Sequence, residues 1–299
     1  MNKFTPPNTY IILVTATISA LLGAFVMLYD IRSTPESINF INTSDFVAWF
    51  FINLITFALF PILGMPLWGS VMTYKRYFRR EIIFTATFFT LLIALPDAYA
   101  YYYLPVSTRL PLAHAATKIS IIVGVGFFSI GLPAAIVIWL IQSALRQDFN
   151  ETRFRETHIE KYSRLRDDLA LMILILGSII GLLALATAAL RRASISSGVV
   201  SADTYPIIFV LLYGAYFTFL LVIMYLPVYL SLGTVGNRIC NSMVELPSIK
   251  SSKWSEIYSK RKDLQELLRL NLTDVQNWQS GLAILAPFIG GVISTLLEQ

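Results

Sequence analysis

The sequence predicts an all-α fold: a polytopic integral membrane bundle of six transmembrane helices, followed by a C-terminal extension that is part amphipathic and part hydrophobic helix. Three observations predict it. Of 299 residues, 56% are hydrophobic and 14% charged, whereas soluble domains run near a quarter charged. Seven stretches contain no Asp, Glu, Lys or Arg: 4–29, 46–74, 82–96, 119–145, 169–190, 204–237 and 275–297. The basic residues gather in alternate connections between them. Ordinary Gly and Pro contents exclude collagen and low-complexity disorder, and the single cysteine, Cys240, excludes a disulfide framework.

A helix rises 1.5 Å per residue, so about 20 residues cross the ~30 Å of hydrocarbon. Five of the seven stretches reach that length unaided and read as mostly apolar; 275–297 is long enough but has a polar start and a central proline. The first, longer than a secretory signal core and lacking a small-x-small cleavage site, is expected to stay as a helix. The stretch from 82 becomes long enough only by continuing through Pro96 and Asp97 into Tyr99, Tyr101, Tyr102 and Tyr103, rings suited to the headgroup level. Asp45 is expected to cap the second span, and Asp203 and Thr204, ahead of Pro206, the sixth.

Orientation follows from the basic residues. With both termini cytoplasmic, eighteen Lys and Arg lie inside and five outside: Arg32, Arg109, Lys118, Arg191 and Arg192. The same excess accounts for the pI of 9.2, so a lipid bilayer, expected to be the plasma membrane, is the partner and nucleic acid is not. Residues 1–237 form the membrane domain, with a cytoplasmic helical connection over about 146–168, where Phe154, Tyr162, Leu165 and Leu169 fall near helical spacing. Residues 238–299 form a cytoplasmic extension. Its first part carries Trp254, Ile257, Leu264 and Leu268 on one stripe of an amphipathic helix. Its last part has a small face of Ala283, Pro287, Gly290, Gly291 and Ser294 and a greasy face of Leu285, Ile289, Val292 and Leu296. It is a docking, re-entrant or seventh helix, with the polar start and Pro287 favouring the non-spanning forms.

Close helix approach in lipid uses small residues at four-residue spacing. Ala16, Ala20 and Ala24, then Ala116, Ser120 and Gly124, and the GxxxG of Gly177 and Gly181 provide it. Pro61 and Pro66, flanking Gly64, release the carbonyls of Phe57 and Ile62 from helical bonding. Pro133 and Pro227 add bends.

For chemistry, Asp97 stands out as a carboxylate about 24 Å into a span that starts after Glu81, with Lys118 as its expected partner. Asn53 lies at similar depth, suited to bridging helices. GxxxxGK[ST], HExxH, GxSxG and CxxC are all absent from the sequence, which removes the usual support for nucleotide hydrolysis, zinc proteolysis, serine catalysis and thiol exchange. His114 and His158 are expected on opposite sides of the membrane. Neither metal nor cofactor is expected. Two functions follow. One is passage of an ion or small solute through a channel or carrier, with Asp97, Lys118 and Asn53 at the outer mouth. The other is a non-transporting scaffold, sensor or effector that binds a protein partner, or a second copy of itself, through Trp254, Leu264, Leu268, Gly290 and Gly291.

Overall fold

A computed structural model describes residues 9–32, 34–78, 80–103, 110, 112, 114–150, 154–244, 254–270, 283–286, 288–289 and 292. Among them there is no strand, and the helices run α1 (Thr9–Leu28), α2 (Pro35–Ile41), α3 (Ser44–Tyr74), α4 (Arg80–Tyr103), α5 (Ala115–Asp148), α6 (Glu156–Ser196), α7 (Ile208–Met243) and α8 (Trp254–Leu267). Five, namely α1, α3, α5, α6 and α7, are long and apolar enough to cross a bilayer. They coincide with the five long stretches that read as mostly apolar, and they make this an integral membrane protein. The 24-residue α4 runs on through Pro96 and Asp97 to Tyr103, as its length required, with its apolar part over Ile82–Leu95.

Helix α3 occupies the centre and packs against α1, α5 and α6, while α7 closes on α5 and α6 and α4 lies on the outside against α5. The chain places its largest apolar residues on opposite sides according to size and neighbour. Leu13, Leu21 and Phe25 of α1 point outward, while Ala16, Gly23 and Met27 of the same helix face α3. In lipid no hydrophobic force drives helices together, so small residues inside and bulky ones outside are what close backbone approach requires. Ala134, Ile138 and Ile141 of α5 and Leu165, Met172 and Ile173 of α6 are fully buried members of one continuous core.

The helix starts differ from expectation in two places. Thr43, not Asp45, caps α3, its hydroxyl accepting from the Phe46 amide at 3.1 Å. Asp45, in the first turn, instead meets Arg192 at 3.6 Å and Ser196 at 3.0 Å on α6. A carboxylate in the first turn still favours the helix dipole, so the long-range pair and the local preference agree. Asp203 and Thr204 do not cap α7, which begins at Ile208 without a side-chain cap. Thr204 bonds Ser201 within the preceding turn. At the other end of α6, Gly198 has φ +73°, a left-handed position that closes the helix and that glycine adopts without strain.

Tyr77, Asp148 and Lys161 converge. The connections after α3 and after α5 therefore share one end of the bundle, here termed the basic end. Both α5 and α6 continue beyond their apolar cores there; of the expected stripe Tyr162, Leu165 and Leu169 are buried on α6, while Phe154 precedes the helix and is half-buried. The C-terminal helical residues come back to α6. A Cβ on Gly177 would collide with the main chain of Ala283, and one on Gly181 would lie 3.5 Å from Ala286. Eleven residues, about 16 Å of rise, separate Gly177 from the charged Arg166. The segment thus lies along the apolar part of α6, with Ala283 buried and Leu285, Phe288 and Ile289 exposed. Gly290 and Gly291 lie outside the described residues.

Candidate functional site

The irregular helix segments predicted from proline meet one another. Pro61 cannot donate to Phe57, and the released Phe57 carbonyl accepts from the Ser19 hydroxyl of α1 at 2.6 Å. Pro133 likewise lacks the amide that would continue α5. The preceding turn, Phe127–Gly131, is a π-helix in which the Leu132 amide reaches back to the Phe127 carbonyl. The Phe128 carbonyl accepts from Trp68 Nε1 at 3.3 Å, and the Ser129 carbonyl lies 2.8 Å from where a Cβ on Gly64 would stand. α3 and α5 therefore cross near the middle of both helices through their two non-ideal turns. Neighbouring side chains take up carbonyls that would otherwise face hydrocarbon unpaired.

Lys118 and Asn53 are both buried, at 3% and 1% exposure. Lys118 Nζ donates to the carbonyls of Tyr29 at 2.6 Å and Met27 at 3.2 Å. These are orphan groups at the end of α1, where the helix dipole also favours a cation. Asn53 Nδ2 donates to the Trp49 carbonyl at 2.8 Å, one turn back on α3, and Thr56 does the same to Ile52. The α4 backbone carries Asp97, but its side chain, and with it the expected Asp97–Lys118 pair, lies outside the described residues. Replacing Lys118 with methionine keeps the stem and removes the donors, so it should lower stability by about 2–3 kcal/mol. A thermal midpoint in detergent checks this.

The glycine faces are partly as expected. Gly177 and Gly181 form the seat of the C-terminal segment. Around Gly124, in contrast, no atom lies within 4 Å of a Cβ position among the described residues. The close approach on that helix falls two residues later at Gly126, against the Phe60 ring at 3.0 Å. Helix phase decides this, because a two-residue step turns the face by about 200°.

At the basic end a polar network ties α3, α5 and α6 together. Tyr74 donates to Asp168 and Tyr77 to Asp148. Lys161 also binds Asp148, with Arg76 3.8 Å away. Lys161 and Arg76 both stand over the Tyr77 ring. None of these residues was singled out from sequence. A pair of tyrosines at the end of a span reads only as interfacial aromatics, and nothing local says that acids 71 and 94 positions away will meet them.

Helix α8 rests lightly on the bundle, having no buried residue of its own. Trp254 and Tyr258 stack on each other at 6.3 Å, and Tyr258 is exposed. Along the exposed side, Lys260 reaches the Glu256 carboxylate at 2.6 Å and holds its pKa below the usual carboxylate range. Leu264 packs against the core and Leu268, just past the helix, is buried. Arg166 donates to the carbonyls of Leu268 and Arg269, fastening the end of α8 to α6. Arg269 in turn pairs with Asp167 at 3.0 Å. No metal-binding cluster of His, Cys, Asp and Glu exists among the described residues.

Comparison of the chain with protein-family models, curated proteins and solved structures finds no match.

Proposed function

We propose that the protein is a non-transporting component of its membrane, a scaffold, sensor or effector whose basic end binds a protein partner. The observation that carries this reading is where the interior polar groups are used. Lys118, Asn53, Thr56 and the proline-released carbonyls of Phe57 and Phe128 all bond within or between helices. Exposed charge and an aromatic pair, Trp254 and Tyr258, collect on and around α8. Aromatic side chains backed by a rigid element suit the anchor positions of an interface.

The reading takes α4 as a sixth crossing, supported by its 24 residues, about 36 Å of helix. It takes the basic end as the cytoplasmic face of a plasma membrane, supported by eighteen basic residues against five. The partner is a different protein or a second copy of the chain.

One observation favours a second reading, passage of an ion or solute. Discontinuous helices that cross near mid-membrane are a transporter device, and the π turn of α5 against Pro61, Gly64 and Pro66 of α3 is such a crossing. Asp97 would then serve the outer mouth. Flux measurements separate the two. Reconstituted liposomes should stay tight to a broad set of ions and small solutes. Flux that Asp97→Asn alters would replace the first reading with the second. In the same preparation, Trp254→Ala with Tyr258→Ala should weaken a cross-linked complex at least tenfold and leave the thermal midpoint of the bundle unchanged.

A further inference from the structure

Between the basic ends of α6 and α7 lies an open cavity of about 340 Å³. Its lining is graded. At the level of the charged connectors stand Arg166, Asp167 and Arg269, and Thr234 and Asn237 of α7 border them. Farther toward the apolar core come Leu169, Leu230 and Tyr225. The lining therefore brings two guanidinium groups against one carboxylate.

Arg166 is held in place by the Leu268 and Arg269 carbonyls through Nη1 and by the Tyr162 hydroxyl, and a guanidinium with five donors has others to offer a further acceptor. The floor is tight: a Cβ on Gly236 would collide with Leu270 and lie 2.7 Å from the Tyr162 hydroxyl. The side facing away from the bundle is apolar. Leu230 is 58% exposed, and Leu226, Ile223 and Phe219 continue its line along α7. A soluble anion would find the charged half of this crevice, but only an amphiphile would use both halves.

We propose that the crevice binds an anionic phospholipid, its phosphate between Arg166 and Arg269 and an acyl chain laid along the Leu230, Leu226 and Ile223 side of α7. Crevices between membrane helices that offer basic groups at headgroup depth suit such lipids, and guanidinium groups match phosphate oxygens through paired donors. Asp167 is the tuning element. It sits in the same lining and shares Arg269 with the lipid phosphate, so it sets affinity by competition. The site faces lipid and does not depend on the partner reading, which concerns the exposed face of α8.

Native mass spectrometry of the purified full chain, titrated with phosphatidylglycerol or phosphatidylcholine, tests the site. A third arm follows protection of the thermal midpoint by each lipid and by inorganic phosphate. Phosphatidylglycerol should be retained over phosphatidylcholine, and Arg269→Gln should cut that preference about fivefold, the effect of one basic group near a headgroup. Asp167→Asn removes the same ion pair but should strengthen phosphatidylglycerol binding. The two variants therefore diverge under the proposal and fall together if the ion pair is merely structural, which would overturn it. Equal retention of the two lipids overturns it as well. So does protection by inorganic phosphate that matches phosphatidylglycerol, since the apolar half would then contribute nothing.

Discussion

Gly177→Leu is expected to expel the C-terminal segment from its seat on α6. The glycine leaves no room even for a methyl group, because the obstacle is the main chain of Ala283 and not the end of a flexible side chain. Overpacking of a fitted interface costs about 1–3 kcal/mol when the surroundings can adjust, and a helix that meets backbone adjusts by leaving. A cysteine introduced at Ala283 in a Cys240→Ser background should be protected from a water-soluble maleimide in the parent and become reactive in the variant. Gly181→Ala is the matched control. Its Cβ would lie at ordinary contact distance, 3.5 Å from Ala286, so protection should persist. Unchanged protection in Gly177→Leu would remove the segment from this face.

Gly64→Leu is expected to have the second large effect, at the crossing of α3 and α5. Any side chain at 64 meets the Ser129 carbonyl oxygen at 2.8 Å, and Ser129 belongs to the π turn that Pro133 imposes. The crossing must open, and with it the Trp68 bond to Phe128. A loss of about 3 kcal/mol or more, read as a lowered thermal midpoint in detergent, is the outcome to look for. Gly124→Ala should move the other way. Nothing among the described residues stands within 4 Å of that Cβ, and alanine in a helix interior is favoured over glycine by about 0.5–1 kcal/mol. Two glycines on adjacent spans, similar to the eye in sequence, thus receive opposite predictions from what surrounds them.

What the sequence made legible is what depends on length and period. A run of twenty or more uncharged and mostly apolar residues reads as a crossing, so α1, α3, α5, α6 and α7 could be read directly. The continuation of α4 through Pro96 followed from the same arithmetic. The stripe of Tyr162, Leu165 and Leu169 followed from helical spacing. Partner identity was not legible, because it is decided between segments. Lys118 donates to the end of α1 across 89 and 91 positions, acceptors that no local pattern announces. Asp45 is recruited by Arg192 on α6, leaving the cap to Thr43. The short α2, capped by Thr34 and Ser37, was hidden in a connection because seven residues carry too little periodicity to register. The Tyr74–Asp168 and Tyr77–Asp148 bonds depend on three helices ending at a common level, which no local pattern encodes.

The π turn of α5 has a consequence for phase. Lys118, Ile122, Gly126, Ile130, Ala134 and Ile138 are all buried, at intervals of four throughout. In an uninterrupted α-helix each such interval overshoots a full turn by about 40°, and five of them would carry the row about 200° around the rod. The wide turn absorbs one residue, roughly 100° of that drift, and lets one row stay inward across the whole crossing. The two halves of α5 are thereby geared to each other. Deleting a single residue within 127–131 would relax the bulge to a regular turn and keep Lys118 in phase with Ile138, whereas a deletion between the bulge and Lys118 would swing Lys118 more than a quarter turn away from the carbonyls it closes on α1.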